Sequence, residues 1–191
     1  GCESLLHCDA RQFGPEQIIG LPEAGLGLVP AWGGSVRYLQ HAVQKPDQMN
    51  GPLPAVKEAM MALSNPMASI ATCSQDARHK LWLMKDDRIS MNPDRVLSDA
   101  KSFALEMAEA GYAPEPLPIF NLPGETGKIA IRTFVEQLYK QGGDPKKGGV
   151  NHVDVKTAEA LADIVSGGTV LGSDHIKQQV ADPKVGLRLY D

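Results

Sequence analysis

The sequence predicts an α/β protein that is mainly helical, with a few short strands near its start. Three observations carry this. Capped, apolar-periodic stretches occupy 93–110, 126–141 and 155–166. Extended signals are confined to short runs before residue 22 and near 89–91. No internal repeat, heptad array or low-complexity tract points to a fibrous or solenoid architecture.

Taken in order, residues 2–8 (CESLLHC) set Leu5, Leu6 and Cys8 on one helical face, as in a short buried helix. Asp9 to Pro15 is a polar connector. Gln17 to Leu21 is a short apolar run ended by Pro22, and the residue before a proline favours extended backbone, so a buried strand is expected. Gly25, Gly27, Pro30, Gly33 and Gly34 make the next stretch a series of turns in which backbone can approach a ligand closely. Val36, Leu39 and Val43 predict a helix over 35–43. A loop at 45–54 leads to an Ala/Met helix at 55–63. Asn65-Pro66 opens another helix, helical composition continues from Gln75 to Met84, and Ile89 to Met91 forms a short strand.

The strongest helix is 93–110, with Asn92 as N-cap, Pro93 at N1, Gly111 as the left-handed stop and one stripe of Val96, Leu97, Ala100, Phe103, Ala104 and Met107. Residues 112–123 carry four prolines and are expected to be extended. A helix at about 126–141 and a Gly-rich loop at 142–149 precede the last helix, 155–166, capped by Asp154 and stopped by Gly167-Gly168. The polar tail after 169 is expected to be irregular and partly frayed.

At 191 residues with 42% apolar and 22% charged residues, the composition is that of a globular protein with a substantial core. A net charge of −4 without a basic cluster argues against nucleic acid as a partner. No apolar run is long enough to span a bilayer, and Glu3, His7 and Asp9 interrupt any signal-like start, so no membrane is expected and the cytoplasm is the default compartment. Cys2, Cys8 and Cys73 lack C-x-x-C or zinc spacing and read as buried thiols, with no metal site. Trp32 and Trp82 read as core or interface residues.

The chemistry is concentrated in residues 1–34. Glu3 stands on the first turn of a helix and Glu23 follows Pro22, with the turn sequence Gly25 to Gly34 behind it. Two carboxyls in different settings can serve one as acid and one as base at neutral pH. His7 reads as a helix-face residue, His152 and Asp154 could suggest a dyad but Asp154 reads better as an N-cap, and Gly124 to Lys128 lacks the spacing of a phosphate loop, so it reads as a turn and helix start.

The elements Gly1-Cys2-Glu3, Leu21-Pro22-Glu23 and Gly27-Leu28-Val29-Pro30-Ala31-Trp32-Gly33-Gly34, with the glutamates twenty positions apart, closely resemble the active-site region of the crotonase (enoyl-CoA hydratase/isomerase) superfamily. Residues 89–128, and 151–168 after them, resemble the region that follows that core in bacterial proteins fusing a 3-hydroxyacyl-CoA dehydrogenase to a C-terminal hydratase module. The resemblance implies a crotonase-like spiral fold, with 1–66 as the C-terminal part of its core and 67–191 as a helical extension. It implies hydration of a trans-2-enoyl-CoA in fatty-acid β-oxidation, with Glu3 and Glu23 catalytic and Gly1, Pro30 and Ala31 at the substrate and water. Ala31 stands where the family commonly has Gly. The substrate would be an acyl-CoA thioester that brings its own coenzyme A, with no further cofactor and no metal, and the assembly would be a homo-oligomer, a trimer or dimer of trimers. Gly-Cys-Glu without an initiator Met reads as the middle of a motif, with the oxyanion-hole amides of the family lying upstream. Double-bond isomerisation, which needs only one carboxyl, and a non-catalytic helical packing or oligomerisation module are the alternatives.

Overall fold

The computed structural model describes residues 1–45, 52–114, 121–142 and 149–168, with backbone alone for 52 and 53. The described residues are mainly helical. Helix α1 (Cys2–Leu6) and strand β1 (Gln12–Phe13) are followed by a 3-10 turn at Glu23–Leu26 and helix α2 (Gly34–Val43). Helices α3 (Pro52–Ser64), α4 (Pro66–Ser69) and α5 (Ser74–His79) lead to strand β2 (Arg88–Ile89). A 3-10 turn at Pro93–Arg95 runs into α6 (Val96–Glu109), and α7 (Gly124–Gln141) and α8 (His152–Ser166) complete the order. Among the described residues, no helix is long and apolar enough to cross a membrane.

The core lies where α2, α3 and α8 meet, with α7 packed on the outer side of α8. Leu39, Leu63, Trp82, Leu83, Leu161 and Val165 are all but sealed from solvent. Each apolar side chain of this size removed from water stabilises the fold by about 1.5–3 kcal/mol. Trp82 also satisfies its polar edge, its Nε1–H donating to the Ser69 carbonyl at 2.6 Å while its ring tilts against Tyr38 with centroids 4.5 Å apart. Trp32, by contrast, is 78% exposed, so of the two tryptophans only Trp82 is a core residue.

A buried polar cluster ties β2 to α2. The Arg11 guanidinium Nε donates to Asp87 Oδ1 at 2.8 Å, both side chains being buried. Its other arm approaches His41 Nε2 at 3.3 Å, and His41 Nδ1–H donates to the Leu81 carbonyl at 2.8 Å. Asp87 Oδ2 accepts from the Met84 backbone at 2.6 Å. Every member has a partner, which is the condition under which a buried ion pair is tolerated.

Extended structure is sparser and differently placed than the sequence suggests. The parallel pair joins Gln12 to Arg88 and Phe13 to Ile89, so the polar connector at 9–15 contains a strand. Its signal is weak because one side chain of the two-residue strand is buried and the other only half-buried. The run 17–21 contributes one antiparallel bridge, Ile19 to Ala71, in place of a strand. Gly20 admits the partner chain there, since a Cβ would fall 2.8 Å from Ile70 Cγ1.

Helix boundaries shift by local capping. The cap of α8 is Asn151, whose side chain accepts from Val153 and Asp154 while Asp154 returns a bond to the Asn151 backbone, so Asp154 is the third helical residue of a capping box and not the N-cap. Helix α3 begins at Pro52, because a proline is well tolerated in the first turn. Cys8 is exposed and not a buried thiol, since the chain leaves α1 before reaching it. The stripe foreseen on α6 is not a core stripe, as none of that helix's residues is buried. The middle of the proline-rich segment (115–120), most of the Gly-rich loop with its lysines (143–148) and the tail from 169 lie outside the described residues.

Candidate active site

Glu3 is carried by α1, a helix of one and a half turns held down by Leu6, which is 2% exposed. The Glu3 side chain leaves α1 and reaches the N-terminal end of α2. There its Oε1 accepts two backbone hydrogen bonds, from Trp32 N–H at 2.9 Å and from Gly34 N–H at 2.8 Å. The glycine pair makes this contact. Gly33 takes the left-handed conformation at φ +85°, and a Cβ on Gly34 would fall 2.8 Å from both Cγ and Oε1 of Glu3. The first turn of a helix has amides without intrahelical acceptors, and its dipole favours an anion there, so the carboxylate fits the position. His7 Nδ1–H donates to the Glu3 carbonyl at 2.7 Å, bracing the end of α1 over Gly33.

Glu23 opens the 3-10 turn at Glu23–Leu26, which closes through Gly27 at φ +74° with the Leu28 N–H donating back to the Glu23 carbonyl at 3.0 Å. The turn is packed from behind by α3, α4 and α8. Its carboxylate Oε2 is buried and has no hydrogen-bond partner among the described residues. A buried acceptor without a partner costs about 1–3 kcal/mol, so this atom is open to a further donor, such as a water.

Both carboxylates act on one neighbour, Cys2. Burial pushes its thiol up to about 11, a hydrogen bond with the Gly20 backbone opposes the rise, and the negative charges of Glu23 and then Glu3 add to it. The thiol therefore stays protonated and is not a nucleophile at neutral pH. Cys2, next to Glu3 in the chain, thus also feels the charge of Glu23, twenty residues from Glu3 in sequence.

Of the other residues expected at the site, Gly1 is exposed and its carbonyl accepts the first α1 bond from Leu5 at 3.1 Å. Pro30 is fully buried, while Ala31 is exposed beside Trp32, whose amide holds Glu3. Sequence reasoning missed the part played by Trp32 and Gly34, which act through backbone N–H groups that no side-chain pattern marks; the Gly33-Gly34 pair is the one signal that pointed there. It also missed Ser35, which is fully buried in the first turn of α2 with its hydroxyl unpartnered among the described residues. No cluster of His, Cys, Asp and Glu that could hold a metal ion occurs among the described residues.

Comparison with known proteins places these observations. The chain is 32% identical over 171 residues, 89% of its length, to a probable 3-hydroxyacyl-CoA dehydrogenase of Bacillus subtilis. It is 54% identical over 37 residues to the fatty acid oxidation complex subunit alpha of Idiomarina loihiensis, a match covering 19% of this chain and 5% of that one. The chain spans about a fifth of the length of the Bacillus relative. No family model matches, and no solved structure matches. These findings overturn the assignment to the crotonase superfamily: these two relatives carry the names of a dehydrogenase and of an oxidation-complex subunit, neither of them a crotonase name, and no family model matches. The reason lies in scale. The elements behind that assignment are three short Gly, Pro and Glu turns within 34 residues, whereas the similarity to the dehydrogenase extends over nearly the whole chain.

Proposed function

We propose that this chain serves fatty-acid β-oxidation at the stage where 2-enoyl-CoA and 3-hydroxyacyl-CoA interconvert, with Glu3 and Glu23 moving the protons of water addition. The observation that carries this reading is the buried Oε2 of Glu23, unpartnered among the described residues, together with a Glu3 whose Oε1 is fixed by two backbone amides. One carboxyl takes a proton from water as the hydroxide adds to the β-carbon, and the other gives a proton to the α-carbon, so the two exchange protonation states and a proton passes back between them before the next turnover. The two settings differ in the way such a division of labour needs: Glu3 is oriented by fixed hydrogen bonds, and Glu23 offers an open acceptor. The names of the relatives support the substrate class, since a 3-hydroxyacyl-CoA dehydrogenase acts on the product of this step.

The test is hydration of crotonyl-CoA, followed by loss of the enone absorbance, with the natural chain, Glu3→Gln and Glu23→Gln. Acid/base participation predicts a loss on the order of 10²–10⁴ in turnover for each variant. Double-bond isomerisation through one carboxyl would survive in one of them, and a packing module would show no turnover in any.

A second reading rests on the name of the Bacillus relative: the chain contributes to oxidation of 3-hydroxyacyl-CoA rather than to its formation. NADH production from 3-hydroxybutyryl-CoA and NAD⁺ by the same preparation, insensitive to Glu23→Gln, would favour it.

A further inference from the structure

Helix α6 has no buried residue, although it is fourteen residues long and rich in Leu, Ala, Phe and Met. One side is fastened to the body. Arg88 pairs with Glu106 at 2.8 Å and lies over the Phe103 ring at 3.8 Å from its centroid, and Ser90 Oγ donates to Asp99 at 2.5 Å. Val96, Ala100, Phe103 and Met107 on that side are half-buried. The opposite side carries Leu97, Lys101, Ala104, Leu105 and Ala108 at helical spacing, with Leu97 84% and Leu105 54% exposed. A mounted face that is largely apolar and left uncovered by the described residues marks an interaction surface.

We propose that two copies of this chain associate through α6, packed antiparallel about a two-fold axis that passes between Ala104 and Leu105. The charges on the face select this occupant. Lys101 and Glu109 are both exposed, and neither makes an ion pair among the described residues. An antiparallel two-fold brings Lys101 of each copy within a turn of Glu109 of the other, giving two new pairs, whereas a parallel arrangement opposes like charges. The same axis sets Ala104 against the second copy's Leu105, so a small residue receives a large one, and Leu97 against the second copy's Tyr112. A two-fold contact is self-complementary and closed, which a single exposed stripe with one cation and one anion satisfies. The inference stands apart from the chemistry at Glu3 and Glu23.

One helix pair is a small interface, so the dimer is expected to dissociate on the order of tens of micromolar. Sedimentation equilibrium of the 191-residue chain across that range reads the association, with circular dichroism confirming that each variant folds. Leu105→Glu, at an exposed position, should leave a monomer. Lys101→Glu should weaken association roughly tenfold, and adding Glu109→Lys should restore it to within about threefold, because the pairs are rebuilt with reversed sign. A chain that stays monomeric, an assembly indifferent to Leu105→Glu, or a charge swap that fails to rescue would each overturn the proposal.

Discussion

His41 offers the sharpest quantitative test of the core. Its ring is 5% exposed, Nδ1–H is committed to the Leu81 carbonyl, and Nε2 faces the Arg11 guanidinium at 3.3 Å. A proton on Nε2 would be buried against an existing cation, so the ring is held neutral. Burial drives its pKa down from 6.5 to about 4, with the Leu81 hydrogen bond opposing, Arg11 adding to the fall, Asp87 opposing and Arg37 adding again. The unfolded chain therefore binds this proton first as pH drops. The stability contributed by the neutral ring is complete above pH 6.5 and is lost as pH falls from there towards 4. At roughly 1.4 kcal/mol per pH unit, the gap amounts to about 3 kcal/mol in all, of which about 2 is gone by pH 5. That is a large share of the ~5–15 kcal/mol that holds an ordinary domain together. Urea unfolding of the natural chain and of His41→Gln at pH 7.5 and pH 5 isolates the effect, because losses common to both chains cancel. Wild type should lose about 2 kcal/mol more than the variant. Equal losses, or an NMR titration of the His41 ring with a midpoint near 6.5, would refute the reasoning.

Three other outcomes are expected. Gly34→Ala places a methyl group 2.8 Å from Glu3 Oε1 and 2.9 Å from Leu21 Cδ1, so it should cost about 1–3 kcal/mol in a denaturant melt and reduce any turnover with it. Trp82→Ala removes a fully buried ring and should cost about 3–5 kcal/mol, while Trp82→Phe, which keeps most of the volume but leaves the Ser69 carbonyl unmet, should cost about 1–3 kcal/mol in the same melt. Iodoacetamide at neutral pH, read by mass spectrometry of the folded chain, should modify Cys8, which is exposed, well before Cys2, whose thiol is pushed up to about 11.

The parts of this fold legible in the sequence are those written in local terms. Asn92 and Gly111 bound the 93–110 region as expected, with the Asn92 side chain accepting from Asp94 and Gly111 at φ +76°. Gly167 and Gly168 end α8 at positive φ. The turn pattern between Glu3 and Glu23 was legible, but the amides that hold Glu3 were not legible at all, since a backbone donor has no residue type. The stripe on α6 is periodic and real, yet periodicity states that a face is apolar without stating what covers it. The strand at Gln12–Phe13 is too short for alternation to show, and its partner is 76 residues away, beyond any local window.

Glu3 and Glu23 are held by different means, and this decides what can disturb them. Glu3 depends on hydrogen bonds made within residues 1–34, so changes to the glycine turn act on it directly. Glu23 accepts no such bond at Oε2, and its position is inherited from a turn wedged against α3, α4 and α8. Val153 of α8 meets that turn at Gly27, where a Cβ would fall 2.6 Å from its Cγ1. A helix 130 residues further along the chain thus sets the height of the turn that presents Glu23. Changes at the start of α8 should move Glu23 while leaving the Glu3 amide contacts intact. The C-terminal helices accordingly act on the candidate site through packing, and the buried Glu23 carboxylate oxygen, unpartnered among the described residues, is the atom they position.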